Sequence, residues 1–536
     1  MSQTPAASDK TDPFLWLEDV QGERALNWVR ERNAVSQKEL TARPEFAPIR
    51  AQMLEVLNAK DRIPTVARRG DWLYNLWQDE TNKRGLWRRT TLAEYRKPKP
   101  AWETVLDLDA LGKAESENWV WGGSTCLGPS YRRCLISLSR GGADAKVVRE
   151  FDTVTKQFVK DGFTLPEAKS EVDWADENTL YVGTDFGPGS MTDSGYARII
   201  KRWKRGTPLS EAVTVFEGEA KDVAVAVSVD MTPGYERTLF TRALDFYNNK
   251  SFLQQGDKLV PLDIPSDASP SFLRDTLLLH LRSDLKVGDT TFSSGSLLHA
   301  NAAAYLRGER KLGALFTPTP TRSLSGYTST RDHVLLNIID NVAGKLEQWR
   351  KSGDSFSRRE VAAPFPGALG VSSLHDPLLK NDPLAEAYWL TYTDFLTPDS
   401  LYLASTTSDE RQLLKSRGAL FDSSGMRAEQ RFATSKDGTK VPYFVVWPEG
   451  AKSDGNNPTL LYGYGGFEIS MKPWYSGGFG RAWYQRGGVL VVANIRGGGE
   501  FGPAWHQSAV KPNKQRSYDD FIAVAEDLIE RKTTSP

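Results

Sequence analysis

The sequence predicts a large all-β region of propeller type joined to an α/β domain with a parallel sheet. Three observations carry this. Aromatic residues are abundant, with 16 Trp, 18 Tyr and 23 Phe beside 44 Gly and 29 Pro, a composition of short strands and tight turns. From Thr65 to about Leu420 short alternating runs recur in about seven clusters, roughly 40 to 55 residues apart, the period of a four-stranded propeller blade. After Ala433 continuous apolar runs alternate with helical stretches, the pattern of strands buried on both faces. No WD or kelch signature repeats, so on periodicity alone a pair of β-sandwiches stays open as the alternative.

The chain of 536 residues is too long for one core and implies two to four domains. Its 68 basic and 68 acidic side chains balance, so no long-range field draws it to nucleic acid or to an anionic membrane. No apolar run approaches the ~18 residues that span a bilayer, and residues 1–14 carry no apolar leader core. The expected location is cytoplasmic, with periplasmic as the alternative if the true start lies upstream. Cys126 and Cys134 are too few for a disulfide framework and fit no zinc spacing; they are read as two buried or half-buried strand cysteines.

The first segment reads as two helices. From Gly22 to Leu40 one broad face carries Ala25, Trp28, Val29 and Val35, and from Phe46 a second stretch carries Ile49, Met53, Val56 and Leu57; Pro44 and Pro48 bracket the break. Those faces need cover, so the segment is expected to dock on another domain. From Thr65 to Leu420 the reading is strands throughout, with hardly a helix. Beyond it a hairpin, Arg431 to Ser435 and Thr439 to Trp447, turns at Lys436-Asp437-Gly438. Two apolar strands follow, Thr459 to Tyr462 and Val489 to Ala493, with a helical segment including Arg481 to Gln485 between them. A helix from Asp519 to Arg531 sets Phe521, Val524, Ala525 and Leu528 on one side.

Specific strings lie on these elements. Leu460-Leu461-Tyr462-Gly463-Tyr464-Gly465-Gly466-Phe467 precedes Gly487 to Gly502, which contains Asn494-Ile495-Arg496-Gly497-Gly498-Gly499-Glu500; Trp505-His506 and Asn513 to Phe521 follow. Together they resemble the catalytic domain of the prolyl oligopeptidase family of serine peptidases. Asp12 to Asp19 resembles the family's N-terminal docking segment, and Thr393 to Tyr402 its last blade. The resemblance implies a seven-bladed propeller over residues 65–425, an N-terminal segment 1–64 docked on the hydrolase domain, and the first part of an α/β-hydrolase domain over 426–536. It implies an acyl-enzyme peptidase acting on short peptides, without cofactor or metal, monomeric at full length, with the propeller limiting access. The Tyr-Gly-Tyr-Gly-Gly-Phe string is closer to the post-proline cleavers than to the basic-specific oligopeptidases.

The resemblance also assigns residues. Tyr464 stands where the fold supplies an oxyanion donor, and the family uses this tyrosine's hydroxyl for it. Phe467 corresponds to a ring lining the pocket for proline. Arg496, Gly497, Gly498, Gly499 and Glu500 form a site-shaping loop, read as a tight glycine path flanked by a pair of charges; without GK[ST] the loop is no phosphate cradle. His506 precedes any place where this fold puts its triad histidine, and is read as structural. His280, His299, His333 and His375 lack metal spacing.

No GxSxG elbow occurs in the 536 residues, and in this fold the acid and the histidine follow the elbow. The expectation is a chain lacking the serine, aspartate and histidine and inactive alone. A non-catalytic, propeller-based binding protein and a non-functional fragment are the rival readings. In the implied topology Val489 to Ala493 lies between the second and third strands, and Thr459 to Tyr462 is left as an edge.

Overall fold

A computed structural model describes residues 12–19, 22–362 and 367–536; the leader reading, which rests largely on residues 1–11, lies outside them. Seven sheets follow one another along the chain and form the blades of a propeller. Blade 1 runs from Ala67–Arg69 to Glu103–Asp107, blade 2 from Trp119–Cys126 to Thr164–Ala168, and blade 3 from Glu171–Asp176 to Val213–Glu217. Blade 4 runs from Ala224–Asp230 to Lys258–Pro261, blade 5 from Ser269–Leu273 to Gly313–Phe316, blade 6 from Arg322–Ser329 to Ser355–Val361, and blade 7 from Ala368–Ser373 to Arg411–Ser416. Blade 2 carries a fifth strand, because Gln157–Phe158 and Thr164–Ala168 both pair with Lys146–Asp152.

The second strand of a blade is covered by neighbours on both faces. In blade 6, His333 to Ile339 are all buried, so an apolar run replaces the alternation of a half-exposed strand. Each gap between blades holds its own core; Phe216 and Phe240, ring centroids 5.1 Å apart, join blades 3 and 4. Blades 1 and 7 are each made from a continuous stretch of chain, so the ring closes without a strand shared between them. Leu73 and Tyr95 meet Leu374, Trp389 and Leu401, and a buried ion pair, Arg68 to Asp382 at 2.8 Å, crosses the same seam.

Short helices interrupt the strand region where the sequence showed almost none. Leu108–Glu115 is started by Asp107, whose side chain accepts the Ala110 N–H at 2.9 Å. Cys126 and Cys134 are a half-buried and a buried strand residue, as expected; they lie directly opposite each other and are joined as a disulfide, a pairing that only the register of the hairpin brings about.

The last domain has the sheet order Arg427–Thr434, Lys440–Trp447, Val489–Ala493, Thr459–Gly463. The first two pairings are antiparallel, and Thr459–Gly463 lies parallel to Val489–Ala493. Every residue of Val489–Ala493 is buried. Thr459–Gly463 pairs with Val489–Ala493 on one side and is the edge expected of it; Leu460 is 40% and Tyr462 41% exposed, so its apolar run is not buried on both faces. The closing helix spans Gln515–Glu530 and starts four residues before the apolar pattern does, because its first buried positions, Ser517 and Asp520, are polar.

The N-terminal segment docks through its second helix, Phe46–Leu57. There Val56 meets Gly477 of the helix Gly477–Ala482, where a Cβ would lie 2.9 Å from Val56 and 2.6 Å from Leu420. The first helix, Glu23–Thr41, buries only Ala25. Trp28, Val29 and Val35 stay exposed, which corrects the expectation that both apolar faces are covered.

Candidate active site

Tyr464 is the first residue after the edge strand, at the carboxyl end of the parallel pair, the end of an α/β sheet where ligands bind. It is 44% exposed, and its hydroxyl has no hydrogen-bond partner among the described residues. The loop it opens is pressed against a second loop, Ile495 to Glu500. A Cβ at Gly497 would lie 2.2 Å from the Gly465 carbonyl oxygen, one at Gly499 2.1 Å from the Glu468 carbonyl oxygen, and one at Gly498 2.2 Å from the Glu500 carboxylate. The glycines are there because two backbones and a buried side chain occupy the space of their side chains.

Phe467 and Glu468 both sit in the left-handed region, at φ 51° and 60°. The Phe467 ring is 58% exposed and packs on Phe246 of blade 4 with centroids 5.2 Å apart. The Glu468 carboxylate accepts Arg282 Nε of blade 5 at 2.9 Å. The site loop therefore lies at the seam between the last domain and the propeller.

Arg496 and Glu500 do not form the charge pair expected of them. The Arg496 guanidinium is 5% exposed and grips Asp520 bidentately, Nη2 to Oδ1 at 2.6 Å and Nε to Oδ2 at 2.9 Å; its other edge takes Asp437 in the hairpin turn at 2.6 Å. Those hydrogen bonds outweigh the burial that opposes its charge and hold Arg496 above the ordinary arginine range. They hold Asp437 well below the ordinary carboxylate range. The backbone also closes here, because the Arg496 N–H donates to Asp520 at 2.9 Å and Ser517 Oγ to the Arg496 carbonyl at 2.6 Å. Glu500 points the other way, and among the described residues no cation pairs with it. Its Oε1 accepts the Met471 N–H at 2.9 Å and Asn494 Nδ2 at 3.2 Å.

His506 is buried, as a structural histidine should be. Its Nδ1 is 2.7 Å from the Gly497 carbonyl and 3.1 Å from the Glu468 N–H, which donates to it, and its Nε2 is 3.1 Å from the Tyr247 hydroxyl of blade 4. His333 bonds Glu386 at 2.8 Å and His375 bonds Asp382 at 3.1 Å, both within the propeller. Among the described residues no serine hydroxyl is hydrogen-bonded to a histidine ring, and no three metal-type ligands converge.

Sequence reasoning missed Phe246, Tyr247 and Arg282, which the propeller brings to the site across more than a hundred residues of chain. It also missed Lys514, whose Nζ donates to the Gly465 carbonyl and to Ser517 Oγ at 3.1 Å. A signal for Lys514 existed, since it lies within the Asn513 to Phe521 string; for the propeller residues there was none.

Two family descriptions match the chain: "Prolyl oligopeptidase, N-terminal beta-propeller domain" over residues 3–261 and "Prolyl oligopeptidase family" over residues 476–536. An uncharacterized peptidase of Sinorhizobium fredii, y4nA, is 41% identical over 99% of this chain and 74% of its own length. A prolyl endopeptidase of Elizabethkingia miricola is 26% identical over 98% of this chain and 71% of its own. Among solved structures, a post-proline cleaving enzyme from Rickettsia typhi superimposes with a TM-score of 0.90 at 32% identity, covering 97% of this chain and 77% of that one.

Proposed function

The chain belongs to the prolyl oligopeptidase family of peptidases, and on that premise we propose that it provides the oxyanion donor and one pocket wall for serine-type cleavage of short peptides after proline. One observation carries the reading most directly: an exposed tyrosine with an unengaged hydroxyl, at the carboxyl end of a parallel strand, on a loop restrained from several sides. A phenolic O–H in that place can donate to the oxygen that gains charge as a peptide carbonyl becomes tetrahedral. The exposed Phe467 ring, leaning on Phe246 at 55°, offers one flat apolar face of the kind that suits a pyrrolidine ring. The propeller side of the seam restricts entry, so the substrates are short peptides.

The reading also says that these 536 residues form no acyl-enzyme by themselves, because they hold no GxSxG and a nucleophile without an adjacent base is weak. Treated with a fluorophosphonate probe, the chain stays unlabelled; stoichiometric labelling of one serine would show that the nucleophile is here after all. Complemented by a hydrolase segment that supplies the elbow, acid and histidine, the site turns over proline peptides. In that enzyme Tyr464→Phe lowers kcat by roughly 10²-fold, or about 2.7 kcal/mol, with KM little changed. An unchanged kcat would remove Tyr464 from the mechanism. If complementation gives no turnover while peptides still bind, the rival reading of a peptide-binding propeller protein takes its place.

A further inference from the structure

Glu500 is 1% exposed and faces no cation among the described residues. Its Oε1 takes two hydrogen bonds, whereas its Oε2 has no partner. The neighbouring Asn494, fully buried, has an unengaged Oδ1 as well. An ionised carboxylate in such a place is strongly disfavoured; a protonated one is tolerated.

What Glu500 holds is the end of the site loop. Asn494 Nδ2 donates to the Met471 carbonyl at 2.7 Å while Glu500 accepts the Met471 N–H, so the residue is gripped from both sides. Upstream lie Phe467 and Glu468 in left-handed backbone, which is strained for residues with side chains and persists only under outside restraint. Glu500 is tied to the propeller too, since Ser323 Oγ of blade 6 donates to its carbonyl at 2.8 Å.

We propose that Glu500 is a positioning residue for the segment Tyr464 to Met471, holding it while the carboxyl is neutral and releasing it on ionisation. A charge on the unpartnered Oε2 is relieved when the carboxylate swings out to water, and that motion gives up the Met471 N–H; the hydrogen bonds at Oε1 oppose it and the larger effect of burial drives it. The strain at Phe467 and Glu468 then relaxes and the pocket wall is lost. The charged groups of the packed elements have other partners. Glu468 is bound to Arg282, Lys472 donates to Ser325, Arg496 is held by Asp437 and Asp520, Arg322 of blade 6 pairs with Glu347, and His506, between Gly497 and Tyr247, takes the Glu468 N–H at 3.1 Å and so restrains the same segment at a second point. Burial pushes the Glu500 carboxyl up to about 7, against the opposing pull of the Met471 N–H and Asn494. The folded value lies above the unfolded one, so the contribution is complete at low pH and is lost as pH rises through about 7.

The catalytic consequence rests on Tyr464 and Phe467 being site residues; the test does not. Amide exchange of Ile469 to Met471 is followed in the full chain from about pH 5.5 to about pH 8.5, corrected for intrinsic rates. The expected result is a fall in protection of about tenfold or more that develops as pH rises from about 5.5 and levels off above about 7, and a flat profile in Glu500→Gln, which keeps the Oε1 acceptor and cannot ionise. A Glu500→Gln profile that follows the parent's, or a loop already unprotected at the acid end in that variant, overturns the proposal. Should Glu500→Gln not fold, the carboxyl ¹³C shift of Glu500 in the parent protein decides: titration near neutrality supports the proposal, and an ionised carboxyl throughout the range refutes it. If exchange behaves as stated while the complemented enzyme binds peptides without turning them over, positioning stands and the peptidase reading fails.

Discussion

Asp520→Ala is expected to destabilise the last domain by about 3 to 5 kcal/mol, the loss typical of a buried ion pair from which one partner is removed. Arg496 is 4% and Asp520 0% exposed, so the guanidinium left behind cannot be rehydrated without opening the sheet. The carboxylate also takes the Arg496 N–H, and its removal orphans a backbone donor beside the glycines. Asp437 remains as a partner, but it comes from a turn and is 43% exposed, which makes it a poor substitute. The measurement is denaturant unfolding, with amide exchange at Gly497 to Gly499 as the local readout. Asp437→Ala is expected to do less, because that pair reaches solvent and is worth correspondingly little. Equal losses from the two variants would mean that burial does not set the strength of this cluster.

The second large effect concerns ring closure. Asp382→Ala is expected to destabilise the propeller by about 3 to 5 kcal/mol, with protection lost first between blades 1 and 7. The carboxylate is 1% and Arg68 6% exposed. It also accepts the N–H groups of Asp376 at 2.8 Å and Leu384 at 2.9 Å, so alanine leaves a buried cation and two buried donors unpaired. Burial on its own would raise this carboxyl; the hydrogen bonds from Arg68, the two N–H groups and His375 outweigh it and bring it down to about 2. The sign follows: a depressed acid stabilises the fold above its unfolded pKa, near 3.9, and that contribution disappears as pH falls through about 2. Acid unfolding of the parent should therefore open this seam, and Asp382→Ala should flatten the acid limb of its stability curve. A variant with an unchanged acid limb would remove Asp382 from that role.

Much was legible before any tertiary information. The blade period follows from local strand and turn chemistry, which repeats at each blade because each is built by the same short-range rules. Val489–Ala493 is apolar at every position because it is covered on both faces, and Tyr464 and Phe467 could be named because they lie on one contiguous string with a family resemblance. Where patterning failed, polar residues had been buried. The closing helix began earlier than its apolar face, since Ser517 and Asp520 face inward to meet Arg496. On the first helix Trp28 meets the Trp16 ring, while Val29 and Val35 stay exposed.

What the sequence determined by itself was the sequence of elements and the residue types at the site, both set by chain-local propensity and spacing. What only the tertiary structure decided was partnership. Arg496 lies four residues from Glu500, yet it pairs with Asp520 and Asp437, because the loop directs the two side chains to opposite sides. Cys126 and Cys134 met through strand register, and Phe246, Tyr247 and Arg282 reached the site through the docking of one domain on another. Hydrogen bonds and ion pairs are made over a few ångströms of space, and separation along the chain does not say which groups come that close.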